Sequence, residues 1–229
     1  MAMDPADPNT LYVVYGNDYD GFTIFKTTDG GTHWVNLYSD AVGSPDQINA
    51  LVIDPNTPAT LYAATDVGVS RSTDGGASFT LAGFANTRVV LLAIDPVRSN
   101  VLYAATSNNV WSFAPAFQGL YKSTDSGASW TPMNQGLNEI ADAHAPVNAL
   151  VLDPDRPNIL YLATSGYGVF KSSNGGATWA AFNNGLTNLD VRSLALVRPG
   201  MEGHRDRRPG GLSPDTLYAG TPGGVFKIR

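Results

Sequence analysis

No cysteine occurs among the 229 residues, which excludes disulfides and thiolate metal sites and leaves the compartment unread from redox chemistry. Charge is scarce as well, with Asp, Glu, Lys and Arg making up 15% of the chain. The basic residues are the scarcer half, 14 Lys and Arg against 20 Asp and Glu, for a net charge of −6. Binding to a phosphate backbone depends on Lys and Arg that release counterions, so nucleic acid is not an expected partner. Long apolar runs are missing too. The longest, Val89 to Ile94, has six residues and stops at Asp95, whereas a membrane-spanning helix needs roughly 18 or more. No membrane span is expected. Met1-Ala2-Met3-Asp4-Pro5 has none of the basic, apolar and small-residue regions of a signal peptide, so the chain is read as either cytoplasmic or separated from a leader. His33, His144 and His204 stand at no metal-ligand spacing, and neither a metal nor another cofactor is expected.

What the chain has is repetition. Hydrophobic residues make up 43%, enough at this length for one large β domain with its own core. A Leu-Tyr pair ends at Tyr12, Tyr62, Tyr103, Tyr161 and Tyr218, at intervals of 50, 41, 58 and 57 residues. Periods near 40 to 50 residues mark propeller blades. Ahead of the pair an apolar strand runs into Asp-Pro, as in Ala50-Leu51-Val52-Ile53-Asp54-Pro55 and Leu150-Val151-Leu152-Asp153-Pro154, where proline, lacking an N–H, stops the strand. After the pair come a Gly-rich turn, a third strand such as Gly168-Val169-Phe170-Lys171, a tight Asp/Gly loop and a fourth strand opened by an aromatic residue. Each repeat reads as four short antiparallel strands A to D, with almost no helical periodicity anywhere. The expectation is an all-β propeller of about five four-stranded blades filling residues 1–229, with repeats at about 1–40, 47–86, 88–137, 146–186 and 190–229.

The loop between strands C and D is the most specific motif. It reads Thr27-Thr28-Asp29-Gly30-Gly31-Thr32-His33-Trp34, Ser72-Thr73-Asp74-Gly75-Gly76-Ala77-Ser78-Phe79, Ser123-Thr124-Asp125-Ser126-Gly127-Ala128-Ser129-Trp130 and Ser172-Ser173-Asn174-Gly175-Gly176-Ala177-Thr178-Trp179. These segments resemble the Asp-box, or BNR, repeat of sialidases, xyloglucanases, sortilin-type receptors and photosystem II assembly factors. The resemblance covers nearly the whole chain and leans toward an extracytoplasmic protein. His33, Phe79 and Asn174 depart mildly from the pattern. Asp29, Asp74, Asp125 and Asn174 are read as turn-holders through side-chain to backbone hydrogen bonds, with Trp34, Phe79, Trp130 and Trp179 as rings buried against the adjacent sheet. One carboxylate per box, on separate blades, does not make a metal site. The fifth repeat has strands A, B and C but no box, and open blade edges of this kind invite self-association.

Alternating strand direction puts the uniform A–B and C–D loops at one end of each blade and the variable B–C and D–A loops at the other, where function usually resides. There the third repeat inserts a long aromatic loop containing Asn109, Trp111 and Phe113, and its D–A loop carries Glu139, Asp142 and His144. Tyr19 and Asp20 in the first repeat and Tyr167 in the fourth belong to equivalent loops. Exposed aromatics beside Asn and Asp suit sugars, whose apolar faces stack on rings, and protein partners use the same residue types. Equally, Trp111, Phe113 and Phe117 can fold back as a small satellite core. Two carboxyl groups roughly 5 to 10 Å apart would make a glycosidase, and Glu139 or Asp142 facing Asp18 or Asp20 is a conceivable pair. The resemblance to sialidases stops short of their Arg-Ile-Pro segment, which is absent, and the first arginine is Arg71. The reading favoured is a non-catalytic binding or scaffold propeller for carbohydrate or protein, with a carbohydrate-active enzyme of the Asp-box group, whole or in part, as the rival. The basic, Gly/Pro-rich stretch Arg198 to Gly211 is expected to be a solvated loop.

Overall fold

A computed structural model describes residues 1–17, 21–39, 47–107, 117–197 and 216–228. The chain forms two compact units, Met1–Asn134 and Gln135–Arg229. In the first unit, β1 (Ala2–Met3), β2 (Leu11–Asn17), β3 (Gly21–Thr27) and β4 (Val35–Ser39) make one sheet. A second sheet holds β5 (Ile48–Ile53), β6 (Leu61–Thr65), β7 (Gly68–Ser72) and β8 (Thr80–Gly83). The third holds β9 (Arg88–Ile94), β10 (Leu102–Ser107), β11 (Phe117–Ser123) and β12 (Thr131–Pro132). In the second unit, α1 (Asn138–Asp142) precedes a sheet of β13 (Val147–Leu152), β14 (Leu160–Thr164), β15 (Gly168–Ser172) and β16 (Ala180–Ala181). A three-stranded sheet of β17 (Ser193–Val197), β18 (Thr216–Thr221) and β19 (Gly224–Ile228) follows. Every pairing is antiparallel between sequence neighbours. This is the meander of a propeller blade, and the chain is an all-β propeller protein.

Within each unit the sheets stack by one rule. Strand alternation sends Tyr12 and Val14 of β2 and Ile24 of β3 to one face, where they meet Ile53 and Leu61 of the second sheet. Tyr62, Ala64 and Val69 of that second sheet meet Val89, Leu92, Leu102 and Ala104 of the third. In the second unit, Tyr161, Ala163 and Val169 meet Leu217, Ala219 and Ile228. The tyrosine of the Leu-Tyr pair thus faces the following sheet and the leucine faces the preceding one. Four of these tyrosines also lie beneath a cation from strand C: Lys26 over Tyr12, Arg71 over Tyr62, Lys122 over Tyr103 and Lys171 over Tyr161, at 5.2 to 5.7 Å. Burial pushes the Tyr103 hydroxyl up to about 12 and pulls the Lys122 ammonium down, since both charged forms lose water there.

Two local features differ from the sequence-based expectation. Strand D opens one residue after the box aromatic and shrinks to two residues in β12 and β16. Pro132 closes the first of these because it brings no N–H to a ladder. The second difference is α1, a single helical turn. A helix this short is marginal alone, and Leu137 and Ile140, both fully buried, anchor it.

Candidate functional site

At the box end of the four sheets that carry one, the geometry repeats closely. The last residue of strand C, Thr27, Ser72, Ser123 or Ser172, is buried, and its hydroxyl donates to the box Asp or Asn at 2.7 to 2.9 Å. The same oxygen accepts the N–H of Gly31, Gly76, Gly127 or Gly176 at 2.8 to 3.0 Å. The box Oδ1 accepts the N–H four residues on, from His33, Ser78, Ser129 or Thr178, at 2.9 to 3.0 Å. Three side chains finish the loop by different chemistry. Ser78 donates its hydroxyl to Asp74 Oδ2, the His33 ring nitrogen meets Asp29 Oδ2 at 2.7 Å, and Asn174 turns donor toward Thr178. Each box then ties to the A–B turn of its own sheet through a backbone N–H, from Gly30, Gly75, Ser126 or Gly175 to the carbonyl of Asn9, Ala59, Asn100 or Asn158. The rings are less uniform. Phe79 and Trp130 pack on the preceding sheet and Trp179 is buried, while Trp34 stays 41% exposed.

The A–B turns add a second set of structural carboxylates. Asp4, Asp54, Asp95 and Asp153 are buried, and each receives the N–H two residues on at Oδ1. In two turns an arginine three residues on closes over the other oxygen, Arg98 on Asp95 and Arg156 on Asp153. Reading Asp-Pro as a strand stop through proline alone misses this: the carboxylate holds the turn.

The opposite end carries different chemistry. Asp66 and Arg88, both largely buried, form an ion pair at 3.0 Å between the B–C turn of the second sheet and the first residue of β9. Asn49 donates to Asp66 at 2.8 Å and to the Val89 carbonyl at 2.9 Å, and Arg88 reaches Gln47 at 3.5 Å. A buried pair gains little unless further hydrogen bonds complete it, which Asn49 and Gln47 do. Asn148 repeats the device in the second unit, donating to Ser165 and to the Val191 carbonyl. Sequence reasoning overlooked these residues. The available signal was an asparagine after an apolar residue in Ile48-Asn49-Ala50 and again in Val147-Asn148-Ala149.

Of the residues picked out for ligand contact, Asp142 ends α1, exposed to solvent alongside Glu139 and His144. Tyr167 is half-buried in the β14–β15 turn, where Asn183 donates to its carbonyl. The two occupy the same end of one sheet, since the segment after α1 enters β13 beside that turn through a Ser165 to Pro146 backbone bond. Tyr19, Asp20, Asn109, Trp111 and Phe113, the aspartate Asp18, and the basic stretch from Arg198 lie outside the described residues. Among the described residues no three His, Asp or Glu gather as a metal site, and no helix is long and apolar enough to cross a membrane.

The box carboxylates accept so many hydrogen bonds that protonation is disfavoured. The Ser78 hydroxyl, followed by its N–H, lowers Asp74 to about 2, and Ser129 lowers Asp125 likewise to about 2. The His33 N–H, then Thr27, holds Asp29 well below the usual range. A carboxyl depressed in the folded chain contributes stability above its unfolded value near 4, and that contribution is lost as pH falls through the folded value. Melting temperature is therefore expected to drop between about pH 4 and pH 2. An Asp74→Asn, Asp125→Asn double variant should show a flatter slope in that window, because an amide, like that of Asn174, accepts the same N–H without titrating. An unchanged slope would place the acid sensitivity elsewhere.

No family model matches the chain. It is 32% identical to a xyloglucanase of Hypocrea jecorina over 143 residues, 61% of this chain and 16% of the relative. A xyloglucanase of a Paenibacillus species is 29% identical over 166 residues, 57% of this chain and 16% of the relative. The chain thus matches only a small part of these relatives' length. Among solved structures, an ancestral GH74 enzyme superposes with a TM-score of 0.63 at 21% identity, covering 97% of this chain and 30% of that one.

Proposed function

We propose that this chain is a polysaccharide-binding propeller that takes xyloglucan-type glucans at the B–C and D–A loop ends of its sheets and does not itself complete a hydrolytic site. The likeness to two xyloglucanases supports the ligand class. The observation that carries the non-catalytic half is how the carboxylates are engaged. At least ten of the 20 acidic side chains accept hydrogen bonds that close box turns, close A–B turns or complete ion pairs. Binding needs less: rings to stack on the apolar faces of sugars and a few polar groups to fix their orientation. Tyr167 and Asp142 are the described candidates.

Affinity electrophoresis in gels containing xyloglucan tests this. The intact chain should be retarded, and Tyr167→Ala and Asp142→Ala should each weaken binding about 5- to 10-fold, equivalent to about 1 to 1.4 kcal/mol. Migration unaffected by xyloglucan would overturn the ligand class. Release of reducing ends from xyloglucan, lost in Asp142→Ala, would instead select the glycoside hydrolase reading, which the relatives' names favour.

A further inference from the structure

Asn-Gly occurs twice in the chain, as Asn174-Gly175 and Asn184-Gly185. An asparagine before glycine is open to one spontaneous reaction, because glycine has no side chain to keep its backbone nitrogen from the asparagine Cγ, and the two reacting atoms are already held in one chain. Both asparagines are exposed, so contact with water does not separate them. Their hydrogen bonds do.

Asn174 is fixed on every side. Its Oδ1 accepts the Ser172 hydroxyl and the Thr178 N–H, both at 2.9 Å, and its Nδ2 donates to the Thr178 hydroxyl at 2.8 Å. The nitrogen that would attack it, that of buried Gly175, donates to the Asn158 carbonyl at 2.8 Å. Asn184 stands in the opposite condition. It and Gly185 are the central residues of a turn closed by the Leu186 N–H on the Asn183 carbonyl at 2.9 Å. Among the described residues neither the Asn184 side chain nor the Gly185 N–H has a hydrogen-bond partner. Glycine is required after it, since φ is +98° and a Cβ would lie 2.7 Å from the Lys227 carbonyl oxygen. The equivalent turn of the preceding repeat has Gln135 before Gly136, at φ +90°. Attack on a glutamine would have to close a six-membered ring, which is slower than closing the five-membered one.

We propose that Asn184 is a site of spontaneous covalent modification in the folded protein, and that the fourth box holds Asn174 out of the same reaction. The Gly185 nitrogen, losing its proton to solvent base, bonds to Asn184 Cγ; the Cγ–Nδ2 bond breaks and ammonia leaves a succinimide. Water then adds at either ring carbonyl and opens it to aspartate or isoaspartate. Nothing is oxidised or reduced. Either product adds a negative charge, and isoaspartate also adds a methylene to the main chain. That change falls beside Asn183, whose Oδ1 accepts the Val169 N–H at 2.7 Å and whose Nδ2 donates to the Tyr167 carbonyl at 3.3 Å, so it acts on the turn that carries Tyr167. The chemistry is the same whatever ligand that end of the sheet takes.

Incubation of the full chain at mildly alkaline pH, with fragment-ion mass spectrometry to locate each amide lost, tests this. Modification at Asn184 should run at least about 10-fold faster than at Asn174, because Asn174 reacts only after its own bonds and that of Gly175 have opened. In guanidinium chloride the two should react at similar rates, since the Asn-Gly pair is then the same at both places and the fold no longer intervenes. Asn184→Gln should stop acidic product forming at that position, with circular dichroism melts to check that the variant folds. Amide loss from Asn174 as fast as from Asn184 in the folded chain would overturn the proposal. So would an Asn184 that stays intact while the unfolded chain reacts, or a preference for Asn184 that persists undiminished in denaturant.

Discussion

Replacing Gly136 by Ala is expected to destabilise the Gln135–Arg229 unit by about 2 to 5 kcal/mol. Two separate penalties combine. Gly136 has φ +90°, where a side chain costs about 1 to 2 kcal/mol. Its new Cβ would also sit 2.1 Å from the Trp179 carbonyl oxygen. That overlap forces apart two backbones joined by the Trp179 N–H to Gln135 carbonyl bond, a distortion worth about 1 to 3 kcal/mol. Gly166 separates the two effects, because it has φ +87° but nothing within 4 Å of the place a Cβ would take. Gly166→Ala should therefore lose only the conformational part, about 1 to 2 kcal/mol. Urea unfolding followed by tryptophan fluorescence measures both. Equal losses in the two variants would show that the close approach at Trp179 is not a rigid constraint.

Asp95→Ala should cost about 3 kcal/mol. The carboxylate is 0% exposed, and its Oδ1 accepts the N–H groups of Val97 and Arg98, both at 2.9 Å. Truncation leaves those donors without their acceptor, at roughly 1 to 3 kcal/mol for each donor that stays buried. The second oxygen takes Arg98, whose side chain is 44% exposed and can return to water. Asp95→Asn keeps an Oδ1 acceptor for both N–H groups and should retain more than half of the lost stability. Arg98→Ala should cost only about 1 kcal/mol, because Asp54 holds the equivalent turn through the same two backbone bonds without an arginine. The ranking by thermal melts is the test. If Arg98→Ala proves as damaging as Asp95→Ala, the turn depends on the ion pair rather than on the backbone bonds.

Much of the scaffold is legible in the residues because its determinants are local and repeated. Leu-Tyr pairs, Asp-Pro stops and Asp/Gly loops each act within about ten residues, and their recurrence at blade-like intervals announces antiparallel four-stranded sheets. The box geometry is local in the same sense: Ser72, Asp74, Gly76 and Ser78 close their loop among themselves. The helical turn α1 is not legible, because Leu137 and Ile140 give only a single i, i+3 spacing, too short to register as a period.

What sequence alone determined is thus the unit of construction, the antiparallel blade and its box turn, since each is written in contiguous residues. Only the tertiary structure decided which residues bind one sheet to the next. Asn49 bonds to Val89, 40 residues away, and Asp66 pairs with Arg88 across two sheets. Val69 and Val225 occupy the same position in the repeat, yet one is sealed and the other open. No pattern in the chain separates those two valines, because burial is a property of the neighbouring sheet, and a neighbour is supplied by packing rather than by the residue's own surroundings in sequence.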